Sequence, residues 1–380
     1  MTSSRLIKVL GQTALVAAAF AMPAAAQQAA KPADAVPRYV PSGKVTWEAD
    51  GTLNLPAHAF PLSSFMSPEL KKAYAKQLVD LPTWPGPPAM DAPMDVWKKY
   101  WKEYDEKIIG WSLNRWKEIH PVSVEHKVYG GVHTDIVVPK AGIAPENKTR
   151  VMINLHGGGF YTGAGAGGLQ ESIPVAGRMK IKVVTVDYRQ APQHKFPAAS
   201  EDVATVYKEL LKEYKPQNIG IYGCSAGGAL TAQAAAWFQT HGLPNPGGIG
   251  VFCAGGGGGP GDVSPWGAAG VYAPPKSAGE AAPSQGYMST AAKDDPMAAP
   301  ALSQAVMAKF PPTLLISGTR AGDMSPAAYM HTRLLKAGVD SQLYIIEGGW
   351  HGVFNAQPDT PESKDTYDYL AVWFDRHLGK

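Results

Sequence analysis

Ser225 stands in the string Gly223-Cys224-Ser225-Ala226-Gly227, after the apolar run Asn218–Tyr222 and ahead of small helix-forming residues that begin at Ala229. A serine lifted onto a sharp turn between a strand and a helix presents its hydroxyl as a nucleophile, and glycines beside it leave room for the turn. With 41 glycines in 380 residues, the string alone is also what a glycine-rich turn looks like. Two other places give it chemistry. His156-Gly157-Gly158-Gly159-Phe160 follows the apolar run Val151–Leu155. Consecutive glycines there let backbone N–H groups face a cavity with no side chains in the way, as a tetrahedral oxyanion requires. Of ten histidines, His351 alone lies just beyond a last apolar strand, after glycines and before a C-terminal helix, where it can act as general base to Ser225.

Positioning these groups needs a regular scaffold, and the chain supplies its pattern from Val122 onward. Strands are predicted over Val122–Val128, Asp135–Val138, Val151–Leu155, Val183–Asp187, Asn218–Tyr222, Gly248–Phe252, Thr313–Ser317 and Leu343–Ile346. Helices are predicted near Gln170–Arg178, Ala198–Glu213, Gly228–Phe238, Ala327–Ala337 and Glu362–His377. Apolar strands alternating with helices argue an α/β domain over residues 122–380, built on a mostly parallel eight-stranded sheet flanked by helices. The first two strands, with no helix between them, form an antiparallel hairpin at its edge. Residues 45–121 are read as N-terminal segments and a helical cap, with one helix starting at the Ser67-Pro68 cap and running to about Leu78. A second runs from about Ala92 to Ile119, where Trp97, Trp101, Tyr104, Ile108 and Trp111 recur every three or four residues as one packed face. The Gly-, Ala-, Pro- and Ser-rich stretch 254–285 is too long for an ordinary connection and is read as a flap.

The glycine loop and the serine turn together match the lipase and esterase pattern, in which one oxyanion donor comes from the loop and another from the residue after the nucleophile, here Ala226. Further motifs occur in the order seen in hormone-sensitive-lipase-like esterases: Asp187-Tyr188-Arg189-Gln190-Ala191-Pro192, Phe196-Pro197-Ala198-Ala199 with Asp202, Pro311-Pro312-Thr313-Leu314, and Glu347-Gly348-Gly349-Trp350-His351-Gly352. From Val122 to the C-terminus the chain resembles that family. The resemblance implies an α/β-hydrolase fold, no cofactor or metal, and a Ser-His-Asp triad acting on short to medium acyl esters, with amides, lactones and peptides as substrates of the same residues. It also implies oxyanion donors at Gly157, Gly158 and Ala226, with His156 anchoring the loop. One departure stands out. Where relatives carry Gly-x-x-Asp, this chain has Gly318-Thr319-Arg320-Ala321, and alanine orients no imidazole. Asp323, two residues later, is the expected acid, with Asp262 and Glu347 as alternatives. Loss of the acid would instead leave a non-catalytic ligand binder.

Gly163-Ala164-Gly165-Ala166-Gly167-Gly168 also satisfies a dinucleotide fingerprint, with Asp187 at the distance of a ribose-binding acid. The string does not directly follow the strand, and Asp187 is better explained by its own turn motif. A formal charge of +3 without a Lys/Arg cluster is too slight to imply a nucleic-acid partner, and the family resemblance implies a small-molecule ester as substrate. Arg5, Lys8, the apolar Val9–Met22 and Ala24-Ala25-Ala26 read as a signal peptide cleaved after Ala26, followed by a loose leader over residues 27–44. The apolar run is too short to span a bilayer, so the protein is expected in the periplasm or outside the cell. Cys224 and Cys253 each end an apolar run; a bridge is permitted there, but two buried thiols are the expectation.

Overall fold

The structure, a computed structural model, describes residues 43–54, 56, 61–257, 261–262 and 283–379. The expected signal peptide, nearly all of the leader and most of the 254–285 flap lie outside the described residues. Two compact units are present, Met1–Pro61 and Leu62–Lys380. In the first, β1 (Thr46–Trp47) pairs antiparallel with β2 (Leu53–Asn54), a hairpin absent from the sequence expectations.

In the second unit, the eight expected strands form one sheet. They are β3 (Val122–Tyr129), β4 (Val132–Pro139), β5 (Val151–Leu155), β6 (Lys182–Val186), β7 (Ile219–Cys224), β8 (Gly248–Phe252), β9 (Thr313–Gly318) and β10 (Ser341–Ile346). Their spatial order is β10-β9-β8-β7-β5-β6-β4-β3, parallel except for β4, which runs antiparallel to both β3 and β6. Alternate residues feed two apolar layers. Ile153, Leu155, Val184, Ile221 and Val251 pack on one face, while Met152, Val183, Tyr222, Phe252 and Ile316 pack on the other. Burial on both faces is why these strands read as continuous apolar runs rather than alternating ones.

Helix α1 (Pro68–Asp80) starts where expected, with Ser67 Oγ accepting the Leu70 N–H. The long second helix is not uniform. It consists of α2 (Met94–Tyr104), a π-helical turn at Asp105–Ile109, and α3 (Gly110–Ile119). The wider turn inserts residues into the helical period and rotates everything after it. The expected face therefore breaks: Trp97 is buried, Trp111 is 56% exposed, and Ile109, Leu113 and Trp116 turn inward in its place. Crossing the sheet are α4 (Ala166–Met179), α5 (Ala198–Leu210), α6 (Ala226–Thr240), α7 (Met324–Lys336) and α8 (Pro361–His377). Among the described residues no helix is long and apolar enough to cross a membrane.

Candidate active site

β7 ends at Cys224 and α6 begins at Ala226, so Ser225 alone makes the corner between them. Its φ of 61° and ψ of −122° are unusual for an L-residue and are held by the surrounding structure. The flanking glycines serve through their missing side chains. A Cβ on Gly223 would stand 2.1 Å from Leu155 O, and one on Gly227 only 1.7 Å from the same oxygen.

His351 follows β10 and points its ring into this corner. Nε2 lies 2.9 Å from Ser225 Oγ, and Nδ1 lies 2.5 Å from Asp323 Oδ1. With the carboxylate at Nδ1, the proton sits there and Nε2 is left to accept from the serine. Asp323 is fixed in turn, its Oδ2 accepting from Ser317 Oγ at 2.5 Å. The His351 and Asp323 side chains are 19% and 9% exposed, so charge forming on the imidazole has little water to compete for it.

The path to Asp323 resolves the departure at Ala321. After β9, one turn closes from Ala321 N–H to Gly318 O and a second from Met324 N–H to Ala321 O. The second turn lifts Asp323, the residue before α7, to the imidazole. Arg320 N–H to Gly349 O at 2.9 Å and Gly348 N–H to Thr319 Oγ1 at 2.8 Å clamp this loop to the one carrying His351. Ala321 is buried, whereas Asp262 and Glu347, the other acids considered, are exposed.

The glycine loop needs one correction. Gly157 N–H donates to Glu171 Oε1 at 2.8 Å, pointing into the protein, and is therefore not available to an oxyanion. Gly158 and Gly159, with φ of 112° and 62°, turn the following peptides the other way. Their N–H groups have no acceptor among the described residues. Ala226, first in α6, contributes an N–H that no helix carbonyl can take. The available donors are thus Gly158, Gly159 and Ala226. His156 is fully buried, its Nδ1–H bonded to Gly157 O at 2.8 Å and its ring stacked 4.2 Å from that of Tyr188. Burial pushes its pKa down, keeping it a neutral anchor.

One feature had no place in the sequence reading, and a second goes against its expectation. Glu171, in α4, is buried; Oε1 takes the Gly157 N–H, and Oε2 takes Asn154 Nδ2 and Cys224 N–H, each at 3.1 Å. Burial pushes its carboxyl up to about 7, although these three donors oppose the rise. Its only signal in the sequence is to be the lone acid of the stretch Ala166–Met179. The cysteines, expected as thiols, are joined: Cys224 and Cys253, at the ends of adjacent strands with Cα atoms 5.1 Å apart, form a disulfide directly before the serine. Asp187 meets the glycine string that suggested a dinucleotide, but as an acceptor of the Gly165 N–H at 3.0 Å. Beside the oxyanion loop a cavity of about 360 Å³ is lined by Trp101, Asp105, Thr162, Tyr188, Arg189 and His194; neither Ser225 nor His351 borders it.

A strand-borne serine, a histidine and an aspartate on successive loops at the ends of parallel strands define an α/β-hydrolase site. The chain belongs to the α/β-hydrolase fold family, whose model matches residues 152–355, more than half of its length. It is 33% identical over 119 residues to a putative acetyl-hydrolase LipR of Mycobacterium tuberculosis, covering 30% of this chain and 39% of that protein. It is also 33% identical over 139 residues to arylacetamide deacetylase of Oryctolagus cuniculus, covering 32% and 34%. The matches thus span little more than a third of these relatives. Among solved structures, an esterase E25 superposes with a TM-score of 0.72 at 26% identity, over 86% of this chain and 99% of that one. An esterase described as from the bacterial hormone-sensitive lipase family superposes at 0.66 and 21% identity, over 82% and 99%, a likeness of fold.

Proposed function

We propose that this protein is a serine carboxylesterase that hydrolyses short to medium acyl esters. The observation that carries the reading is the relay from Asp323 Oδ1 through His351 to Ser225 Oγ. In that reading His351 takes the serine proton as Oγ attacks the ester carbonyl, and Gly158, Gly159 and Ala226 N–H groups receive the developing oxyanion. The imidazolium then protonates the leaving alcohol, and a water molecule repeats the sequence to free the acid. The names of similar proteins, an acetyl-hydrolase and a deacetylase, favour small acyl groups. A site outside the cytoplasm is part of the proposal, supported by the Cys224–Cys253 bridge, since disulfides persist in oxidising compartments.

The test is hydrolysis of nitrophenyl esters of increasing acyl length by the wild-type protein, Ser225→Ala and Asp323→Asn. Wild-type turnover that Ser225→Ala abolishes is expected. Failure of the wild type at every acyl length would mean a ligand binder on a hydrolase fold.

A further inference from the structure

Glu171 is a buried acid that the reaction above does not use, and it sits between the two parts of the site that must keep their distance. One carboxylate oxygen accepts from Gly157, the residue before oxyanion donor Gly158. The other accepts from Cys224, the residue before the nucleophile. The same oxygen also takes Asn154 Nδ2, whose Oδ1 is held by Thr185 Oγ1 at 2.8 Å. Packing around this carboxylate is close: a Cβ on Gly157 would lie 3.2 Å from Glu171 Oε1 and 3.3 Å from Ser225 Cβ.

We propose that Glu171 is a positioning residue that fixes the oxyanion loop and the nucleophile turn at one separation, through a single carboxylate shared between their backbones. The inference rests on the esterase reading of Ser225. Three N–H donors converge on two oxygens, an arrangement only the ionised carboxylate satisfies in full; because burial raises this group to about 7, the kinetics are compared at about pH 8.5, where it is ionised. A glutamine of the same size must turn its NH2 group toward one set of donors, leaving buried polar groups facing each other. Gly157 then loses its inward hold, or the turn at Cys224 does, and the donors shift from where the oxyanion forms. Substrate binding does not depend on that alignment, whereas the tetrahedral state does.

Glu171→Gln should lower kcat by about ten- to a hundredfold, the scale of a small misplacement of reacting groups, with KM within about twofold of wild type. Inhibition by a trifluoromethyl ketone, which forms a tetrahedral adduct on the serine, should weaken by the same factor as kcat/KM. Titration of the serine with a fluorophosphonate counts the competent molecules, so that kcat is expressed per folded site. A kcat per labelled site within twofold of wild type overturns the inference, because Glu171 would then only support folding. So does a loss carried entirely by KM. Should the glutamine variant not fold, Asn154→Leu removes one of the three donors; a severalfold lower kcat at unchanged KM supports the inference, and an unchanged kcat overturns it. A wild type that hydrolyses no ester sinks the esterase reading and this inference together. An active wild type with an unaltered Glu171→Gln sinks this inference alone.

Discussion

Asp323 reaches His351 from a position two residues beyond Ala321. The 2.5 Å contact between Asp323 and His351 Nδ1 makes a strong expectation. Asp323→Asn keeps the shape of the side chain but permits the wrong imidazole tautomer, and kcat should fall about ten-thousandfold. Initial rates on a nitrophenyl acetate, normalised to labelled serine, check it. Gly158 offers a second test. A side chain there meets Thr162 O at 2.2 Å and must adopt a φ of 112°, so Gly158→Ala should displace the loop and cost about a hundred- to a thousandfold in kcat. Single residues also show where sequence reasoning stops. Ser225 and His351 carry local signatures, a glycine-flanked turn and a glycine-rich loop after a strand. Glu171 carries none, because its role comes from two backbone N–H groups that are 67 residues apart in the chain and meet only in the fold.

Elements transmit these positions. β7 delivers Ser225 and is tied to β8 by the Cys224–Cys253 bridge, which spans 29 residues. Chain-entropy reasoning assigns a loop of that size about 3–4 kcal/mol, so reduction by dithiothreitol should lower the melting temperature measured by circular dichroism. The C-terminal helix α8 is held from below by Arg150, whose buried guanidinium donates to Gly379 O at 2.8 Å, Leu378 O at 2.9 Å and Asp375 Oδ1 at 2.8 Å. Arg150→Met should strand those buried carbonyls and cost about 3 kcal/mol, read as a lower urea midpoint. The inner strands were legible because burial on both faces writes an unbroken apolar run. The break between α2 and α3 was not, since a π-turn changes which residues share a face without changing their types. Tryptophans on both sides of it look alike in the sequence, yet Trp97 is in the core and Trp111 in solvent.

At the scale of the molecule, the buried Glu171 carboxyl links stability to pH. Its pKa of about 7 in the fold stands above the ordinary 4.5. Between those values the folded protein keeps a proton that the unfolded chain has lost, so this group's contribution to stability falls as pH rises. The melting temperature of wild type relative to Glu171→Gln should therefore decline from pH 4.5 to 7, and a constant difference between the two curves would refute the shift. The mostly parallel eight-stranded sheet and the hairpin at its edge followed from pattern, whereas the spatial order of the strands did not, since alternating elements alone leave the crossovers open. The pairing of the cysteines did not follow, because two apolar runs ending in cysteine fix neither neighbouring strands nor their register. The pairing leaves the chain with no free thiol, since both of its cysteines are in the bridge. Both cysteines are buried, so maleimide uptake after denaturation without reductant counts the reduced molecules, at two labels each. An inhibitor directed at thiols should spare the oxidised protein, which separates its chemistry from that of hydrolases with a cysteine nucleophile.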